Sequence, residues 1–171
     1  MICPSCGAEN IQGADECIGC KQDLTYLDEP AASSHVERVL MESPVRMLKP
    51  AAPICVAPET TVQEVCRTLR DKKIGCVLVT RGPNLLGIFS ERDVLMKLGN
   101  CEPAVEKEPI QNWMTPNPIT VHEMDSIAFA VHKMDIGGYR HLPVIKDGRA
   151  KGVISVRDVV GYLATQLTSP L

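Results

Sequence analysis

The sequence predicts an α+β fold in which a β-α-β-β-α unit is used twice around a pseudo-twofold axis, behind a small metal-held segment at the N-terminus. Three observations carry that prediction. Leu85 to Leu98 (LLGIFSERDVLMKL) has a partner 65 positions on, where Gly87, Ser90, Arg92 and Asp93 fall on Gly152, Ser155, Arg157 and Asp158. The same shift, with no gap, puts Pro53 on Pro118, Val56 on Val121 and Val79 on Val144. A self-match of that length marks a structural unit used twice. Within each copy, short apolar runs alternate with stretches of helical periodicity. Ahead of both copies, Cys3, Cys6, Cys17 and Cys20 stand as two C-x2-C pairs separated by ten residues.

Composition narrows the functional classes. With 171 residues and only 4% aromatic content, the chain holds a duplicated domain plus an appendage, built on an aliphatic core. Residues 1–30 carry one Lys against six Asp or Glu; of the chain's 18 basic and 21 acidic groups this leaves 17 against 15 for the remainder. An acidic front and a balanced body argue against a track for nucleic acid. No apolar run reaches the roughly 18 residues of a membrane span, and no basic-then-apolar signal opens the sequence. A cytoplasmic protein without a membrane partner is expected.

Residues 1–27 read as a zinc ribbon. Each C-x2-C pair can wrap one turn around a metal, and two pairs supply the four thiolates of a closed tetrahedral site. Gly7 and Gly19 suit tight turns that aim N–H groups at sulfur. With little beyond Ile2, Ile11, Ile18 and Leu24 to bury, so short a segment needs the metal to fold. Structural zinc is the first reading, with iron and a disulfide or catalytic role as the others. The segment resembles the small zinc-ribbon or rubredoxin-like knuckles. Its acidic charge favours contact with a protein over contact with a phosphate backbone.

Residues 28–50 read as a linker and helix. Asp28 to Ser33 is Pro/Ala/Ser-rich, Ser33 or Ser34 can cap a helix through HVERVLMES, and Pro44 ends it or restarts a short turn at VRMLK. The first copy, 51–100, starts with a strand at Ile54 to Val56. Thr60 or Thr61 then caps a helix over Val62 to Lys72, with Val62, Val65, Cys66 and Leu69 as its apolar stripe. Cys66 reads as core rather than nucleophile. Ile74 to Val79 and Leu85 to Phe89 form a hairpin around RGPN, and a helix follows from Glu91 to Leu98. After a connector at 101–110, the second copy occupies 111–171. Asp125 or Ser126 starts its first helix, Gly137 and Gly138 end it, and KDG at 146–148 turns its hairpin. Trp113 reads as an anchor for the approach to this copy. Neither copy alone has a sufficient core, so the two are expected to pack together.

Three motifs then point to a family: the lead-in strands around Ile54 and Ile119, RHLPV at 140–144, and G-x-x-S-x-R-D at 87–93 and 152–158. Together they resemble a tandem cystathionine-beta-synthase-type (CBS) domain pair. That resemblance implies a disc of two repeats, dimers of such discs, a regulatory rather than enzymatic role, and clefts for AMP, ADP, ATP or a related adenosine compound. Carried onto this sequence, Asp93 and Asp158 accept ribose hydroxyls, with Ser90 and Ser155 beside them. Pro53, Ile54 and Val56, and Pro118, Ile119 and Val121, offer backbone edges and apolar walls to the base. Arg140 and His141 face phosphate, with Arg157 and Arg92 adding charge and Tyr139 and Pro143 flanking them. A carboxylate suits a diol and guanidinium groups suit phosphate. In the first copy Gly75 and Cys76 replace Arg140 and His141, so unequal sites are expected, the Asp158 side being the stronger. Read without the resemblance, both aspartates are helix N-terminal acids favoured by the dipole, and His141 is a packed or surface histidine. The rival function is a nucleic-acid-associated ribbon that uses the repeats only for dimerisation; Lys21 is the single base it could use.

Overall fold

The computed structural model describes residues 2–11, 13–24, 34–99 and 103–168 and divides into Met1–His35 and Val36–Leu171. The expected linker at 28–33, including Ser33 as a cap, lies outside the described residues.

In the N-terminal unit, bridges between Ile2 and Glu9 and between Glu16 and Asp23 close two similar turns. The Cys3 and Cys17 N–H groups donate to the carbonyls of Ala8 (2.9 Å) and Gln22 (2.8 Å). The residue after each second cysteine is left-handed: Gly7 at φ 75° and Lys21 at φ 63°. Glycine is therefore used for its conformational freedom in only one of the two turns. Gly19 serves for lack of room, since a Cβ there would lie 3.2 Å from the Ala8 Cβ and 3.5 Å from the Cys6 Sγ. Of the apolar residues expected to bury, Leu24 does so beside Cys3 and Cys17. Ile2, Ile11 and Ile18 remain exposed at 71%, 81% and 77%, because Cys3, Cys17 and Leu24 fill the small centre.

The second unit opens with α1 (His35–Glu42) and a 3-10 turn, Val45–Leu48. The first copy follows as β1 (Cys55–Val56), α2 (Val62–Lys72), β2 (Cys76–Arg81), β3 (Asn84–Ser90) and α3 (Glu91–Asp93). The helix expected through Leu98 departs from α geometry after Asp93, where Val94–Leu98 form a wider π turn. After a lead-in strand β4 (Thr115–Pro116), the second copy is β5 (Val121–His122), α4 (Ile127–Gly137), β6 (His141–Lys146), β7 (Arg149–Ser155) and α5 (Val156–Thr168).

Local chemistry explains the helix starts. Thr61 caps α2 by accepting the Glu64 N–H (3.3 Å), while Glu64 accepts the Thr61 N–H (3.0 Å), a reciprocal capping box. Ser126 caps α4 by accepting the Phe129 N–H at 3.2 Å. The α2 stripe buries Val62, Val65 and Leu69, with Cys66 half-buried beside them. Gly138 (φ 62°) ends α4, and Asp147 and Gly148 (φ 50° and 71°) turn the second hairpin.

Each copy completes the other. In the first sheet the order is β1-β2-β3-β4, so the strand that leads into the second copy closes the sheet of the first. Conversely Ala51, leading into the first copy, bridges Val153 of β7. The trade repeats at the helix starts. The Val62 N–H donates to the Glu108 carbonyl and the Ile127 N–H to the Ser43 carbonyl, both at 2.9 Å. Likewise Ile110 donates to Thr60 and Val45 to Asp125, both at 2.8 Å. The helix-start bonds map onto each other under the 65-residue shift, which makes the pseudo-twofold a property of these hydrogen bonds. The cores follow suit: Val45 and Leu48 pack with Val121, Ile127 and Leu142 of the second copy. Ile110 packs with Val65 and Phe89 of the first, with Trp113 and Met114 against them. Trp113 is the expected anchor, its Nε1–H donating to the Glu108 carboxylate at 2.9 Å.

Close approach of the traded segments demands glycine at one position in each copy. A Cβ on Gly87 would collide with Met114, and one on Gly152 would lie 2.5 Å from the Pro50 Cβ and 3.4 Å from the Ala51 carbonyl oxygen. Gly161, inside α5, faces nothing within 4 Å. Gly152→Val is expected to destabilise by about 1–3 kcal/mol through overpacking, whereas Gly161→Ala stabilises by about 0.5–1 kcal/mol. Denaturant midpoints of the two variants against wild type check both signs.

Candidate functional site

Ser90 ends β3 and caps α3, and that junction sets the first corner of the candidate site. The Asp93 Oδ2 accepts the Ser90 N–H (2.9 Å) and its hydroxyl (2.6 Å), and the Asp93 N–H returns to the Ser90 Oγ at 3.4 Å. The second copy repeats this box: the Asp158 Oδ2 accepts the Ser155 N–H (2.6 Å) and hydroxyl (2.7 Å). Both aspartates are thus helix-capping acids, and both carboxylates keep acceptor positions beyond the cap.

A cleft of about 700 Å³ opens beside the first corner. One wall is Ser90, Arg92 and Asp93; another is the lead-in segment with Pro118 and Ile119; a third is Tyr139, Arg140 and His141. The trade of lead-in strands is what brings these together, since β4 pairs with β3 at Gly87 and Ile88. Arg140 and His141 therefore line the Asp93 cleft, where grouping by repeat had assigned them to Asp158. They stand at a junction, because His141 also faces Ser155 in the β6–β7 register.

The divergence at positions 75 and 76 has a packing reason. A Cβ on Gly75 would run into the His141 imidazole, so the histidine of the second copy takes the space a first-copy side chain would fill. Burial then pushes the His141 pKa below its ordinary 6.5, against the carboxylates of Glu91 and Asp158 that favour the cation. His141 is a neutral donor and acceptor at pH 7 and adds no charge for a phosphate. Cys76 is buried in the sheet, and burial pushes its thiol up to about 12. It is inert.

Asp93 is better anchored than Asp158. Burial works upward on its pKa, but the Lys97 ammonium and the Ser90 donors outweigh this and hold the carboxyl below its ordinary value. Lys97 reaches the Asp93 Oδ1 at 2.8 Å. The i, i+4 spacing of Asp93 and Lys97 is the signal in the sequence that marks this pair. Leu95 and Met96, 76% and 74% exposed, also line the cleft with Glu91 and Asn117, and no motif in the sequence points to them.

Other expected site residues lie elsewhere. Val121 and Pro143 are buried, and Ile54 and Val56 pack on the first core. Pro53, Ser155, Arg157 and Asp158 are absent from the walls of this cleft, the last three standing at the matching corner of the second copy.

In the N-terminal unit the sulfurs of Cys3, Cys6, Cys17 and Cys20 all lie within 4.8 Å of one another. Cys3 and Cys20 are 3.7 Å apart and Cys6 and Cys17 3.5 Å. A tetrahedral zinc–thiolate site with bonds of about 2.3 Å sets sulfurs about 3.8 Å apart, so the cluster has the dimensions of a metal centre. The N–H groups of Cys20 and Gly19 hold the Cys17 thiol down to about 6. The Ala8 N–H lowers Cys6 too, but the neighbouring sulfurs of Cys20 and Cys17 prevail and push it up to about 12. Asn10, buried beneath, accepts the Ile18 N–H at 2.8 Å and directs its amide at the Cys17 Sγ, a supporting contact of the kind that orients metal ligands.

Comparison with known proteins bears on the second unit. The family model described as "CBS domain" matches residues 36–100 and 110–165. A CBS domain-containing protein of Arabidopsis thaliana, CBSCBSPB1, is 30% identical over 84% of this chain, which spans only 25% of that relative's length. Among solved structures, a CBS-domain containing protein from Agrobacterium tumefaciens superimposes with a TM-score of 0.66 and 32% identity over 70% of this chain and 98% of its own. A CBS domain protein from Pyrobaculum aerophilum, complexed with AMP, does so with a TM-score of 0.62 and 26% identity over 72% and 99%.

The lowered pKa of His141 has a sign that can be measured. Its contribution to stability is fully present above 6.5, the ordinary value, and is lost as pH falls through the lower folded value, because the unfolded chain binds the proton first. Thermal unfolding of wild type and His141→Gln between pH 8 and pH 5 should show wild type losing stability in that window relative to the variant. Parallel curves would place the imidazole in free solvent.

Proposed function

The chain belongs to the CBS-domain family, and from that premise we propose that it is a regulatory module binding an adenosine nucleotide in clefts between its two repeats. One observation carries the reading: a single space gathers a capped carboxylate, exposed apolar side chains and two guanidinium groups. The Asp93 carboxylate suits ribose, Ile119, Met96 and the Tyr139 ring suit a purine, and Arg92 and Arg140 suit phosphate. The AMP complex of the Pyrobaculum protein lends support. By the pseudo-twofold, Ser155, Arg157 and Asp158 would serve a second cleft with the backbone at Pro53 to Val56. His141 would contribute a neutral hydrogen bond.

In the same reading the four-cysteine cluster holds zinc, since soft thiolates in a closed tetrahedron favour it and a reducing cytoplasm keeps them free. The ribbon then carries negative charge and three exposed isoleucines, features of a surface for a regulated protein partner. A homodimer is supported by exposed apolar residues on the outer helices, Phe129 and Ile136 on α4 and Val160 and Leu167 on α5. No helix among the described residues is long and apolar enough to cross a membrane.

Calorimetric titration with AMP, ADP, ATP, S-adenosylmethionine and GMP should show binding of adenosine compounds in preference to GMP. Arg140→Ala should weaken AMP about tenfold or more and adenosine far less. A protein that binds no purine refutes the reading. For the ribbon, elemental analysis of purified protein should give about one zinc per chain, and Cys17→Ser should abolish it. A metal-free protein with an ordered ribbon refutes that part.

A further inference from the structure

Lys97 lies just behind the cleft and holds two of its groups. Its ammonium is 2.8 Å from the Asp93 Oδ1, donates to the Trp113 carbonyl at 2.7 Å and lies 3.4 Å from the Thr115 Oγ1. It thereby ties the carboxylate of the first copy to the lead-in segment of the second. Under the 65-residue shift its counterpart is Tyr162, whose hydroxyl instead meets the Ser43 Oγ at 3.1 Å. Among the described residues no salt bridge reaches Asp158.

The difference can be counted in acceptor positions. A carboxylate offers about four. Ser90 fills two on Asp93, both at Oδ2, and Lys97 takes a third at Oδ1. Ser155 fills two on Asp158, again at Oδ2, which leaves Oδ1 open. A ribose 2′,3′-diol presents two hydroxyls. Asp158 can accept both, whereas Asp93 has room for one, and the adjacent ammonium drains the charge that would strengthen that bond.

We propose that Lys97 is a specificity-determining positioning residue that lets the Asp93 cleft accept nucleotides lacking one ribose hydroxyl, while the Asp158 cleft demands the full diol. The inference rests on the nucleotide reading above. It is tested by calorimetry with AMP, 2′-deoxy-AMP and 3′-deoxy-AMP on variants that leave one carboxylate each. Asp158→Ala, reporting on Asp93, should bind all three within about threefold of one another. Asp93→Ala, reporting on Asp158, should weaken both deoxy ligands by about tenfold or more, the loss of one charged hydrogen bond. Adding Lys97→Met to Asp158→Ala should create that tenfold preference for AMP, and Lys97→Arg should leave it absent. A purely structural lysine would shift all three affinities together. Tenfold discrimination by the Asp158→Ala protein, or an unchanged ratio in the Lys97→Met double variant, overturns the inference with the nucleotide reading intact. No purine binding by wild type overturns both. Should Lys97→Met fail to fold, Lys97→Gln, which removes the charge and keeps a polar stem, is read by the same two criteria.

Discussion

The backbone trade between the copies is the constraint on which the second unit depends. Ser43 and Glu108 each offer a carbonyl to the first N–H of the other copy's opening helix, and Val45 and Ile110 each sink into the other copy's core. A unit of this size alone leaves too much of its apolar surface in water. Traded lead-in segments remove that deficit and fix relative position at once, because backbone hydrogen bonds tolerate little displacement. The cleft is a by-product of that fixing. Pro118 and Ile119 stand opposite Ser90 and Asp93 because two residues of β4 pair with β3 next to them.

Within this frame the aspartates cap their helices and, in the proposed reading, would also meet ribose without conflict. Capping the helix uses one carboxylate oxygen and leaves the other directed elsewhere. The cap also orients the group, so the second oxygen is presented without the rotamer entropy an unconstrained side chain would lose on binding. What distinguishes the copies is therefore the setting of the second oxygen. Lys97 against Tyr162 is the substitution that sets it.

Local features were legible in the sequence. The bounds of α2, the capping by Thr61 and Ser126, the Gly138 stop and the KDG turn each follow from chemistry within a few residues. The repeat and its partnering were legible too, since a 65-residue self-match survives divergence. Assignment of side chains to clefts was not. Arg140 belongs by sequence to the copy carrying Asp158 and by position to the cleft of Asp93, and nothing in its own neighbourhood reveals the exchange of strands. Val121 and Pro143 sit in motif positions but face inward, which strand alternation alone leaves ambiguous in a buried sheet. In the ribbon, hydropathy suggested buried isoleucines, but among the described residues the buried apolar centre is Cys3, Cys17 and Leu24, with Ala8 and Ala14 against them.

A chain whose halves exchange equal arms has the connectivity of a swapped dimer fused end to end. Two separate copies would have to find each other at a rate set by concentration; the connector through Pro103–Lys107 makes the encounter intramolecular. Fusion also ends the rule that both corners share one sequence. A symmetric assembly places every substitution in both clefts, so a lysine beside one aspartate would stand beside both. Joined in one chain, the corners can drift singly, one acquiring an ammonium and the other a tyrosine, while the hydrogen bonds that hold the helix starts stay matched.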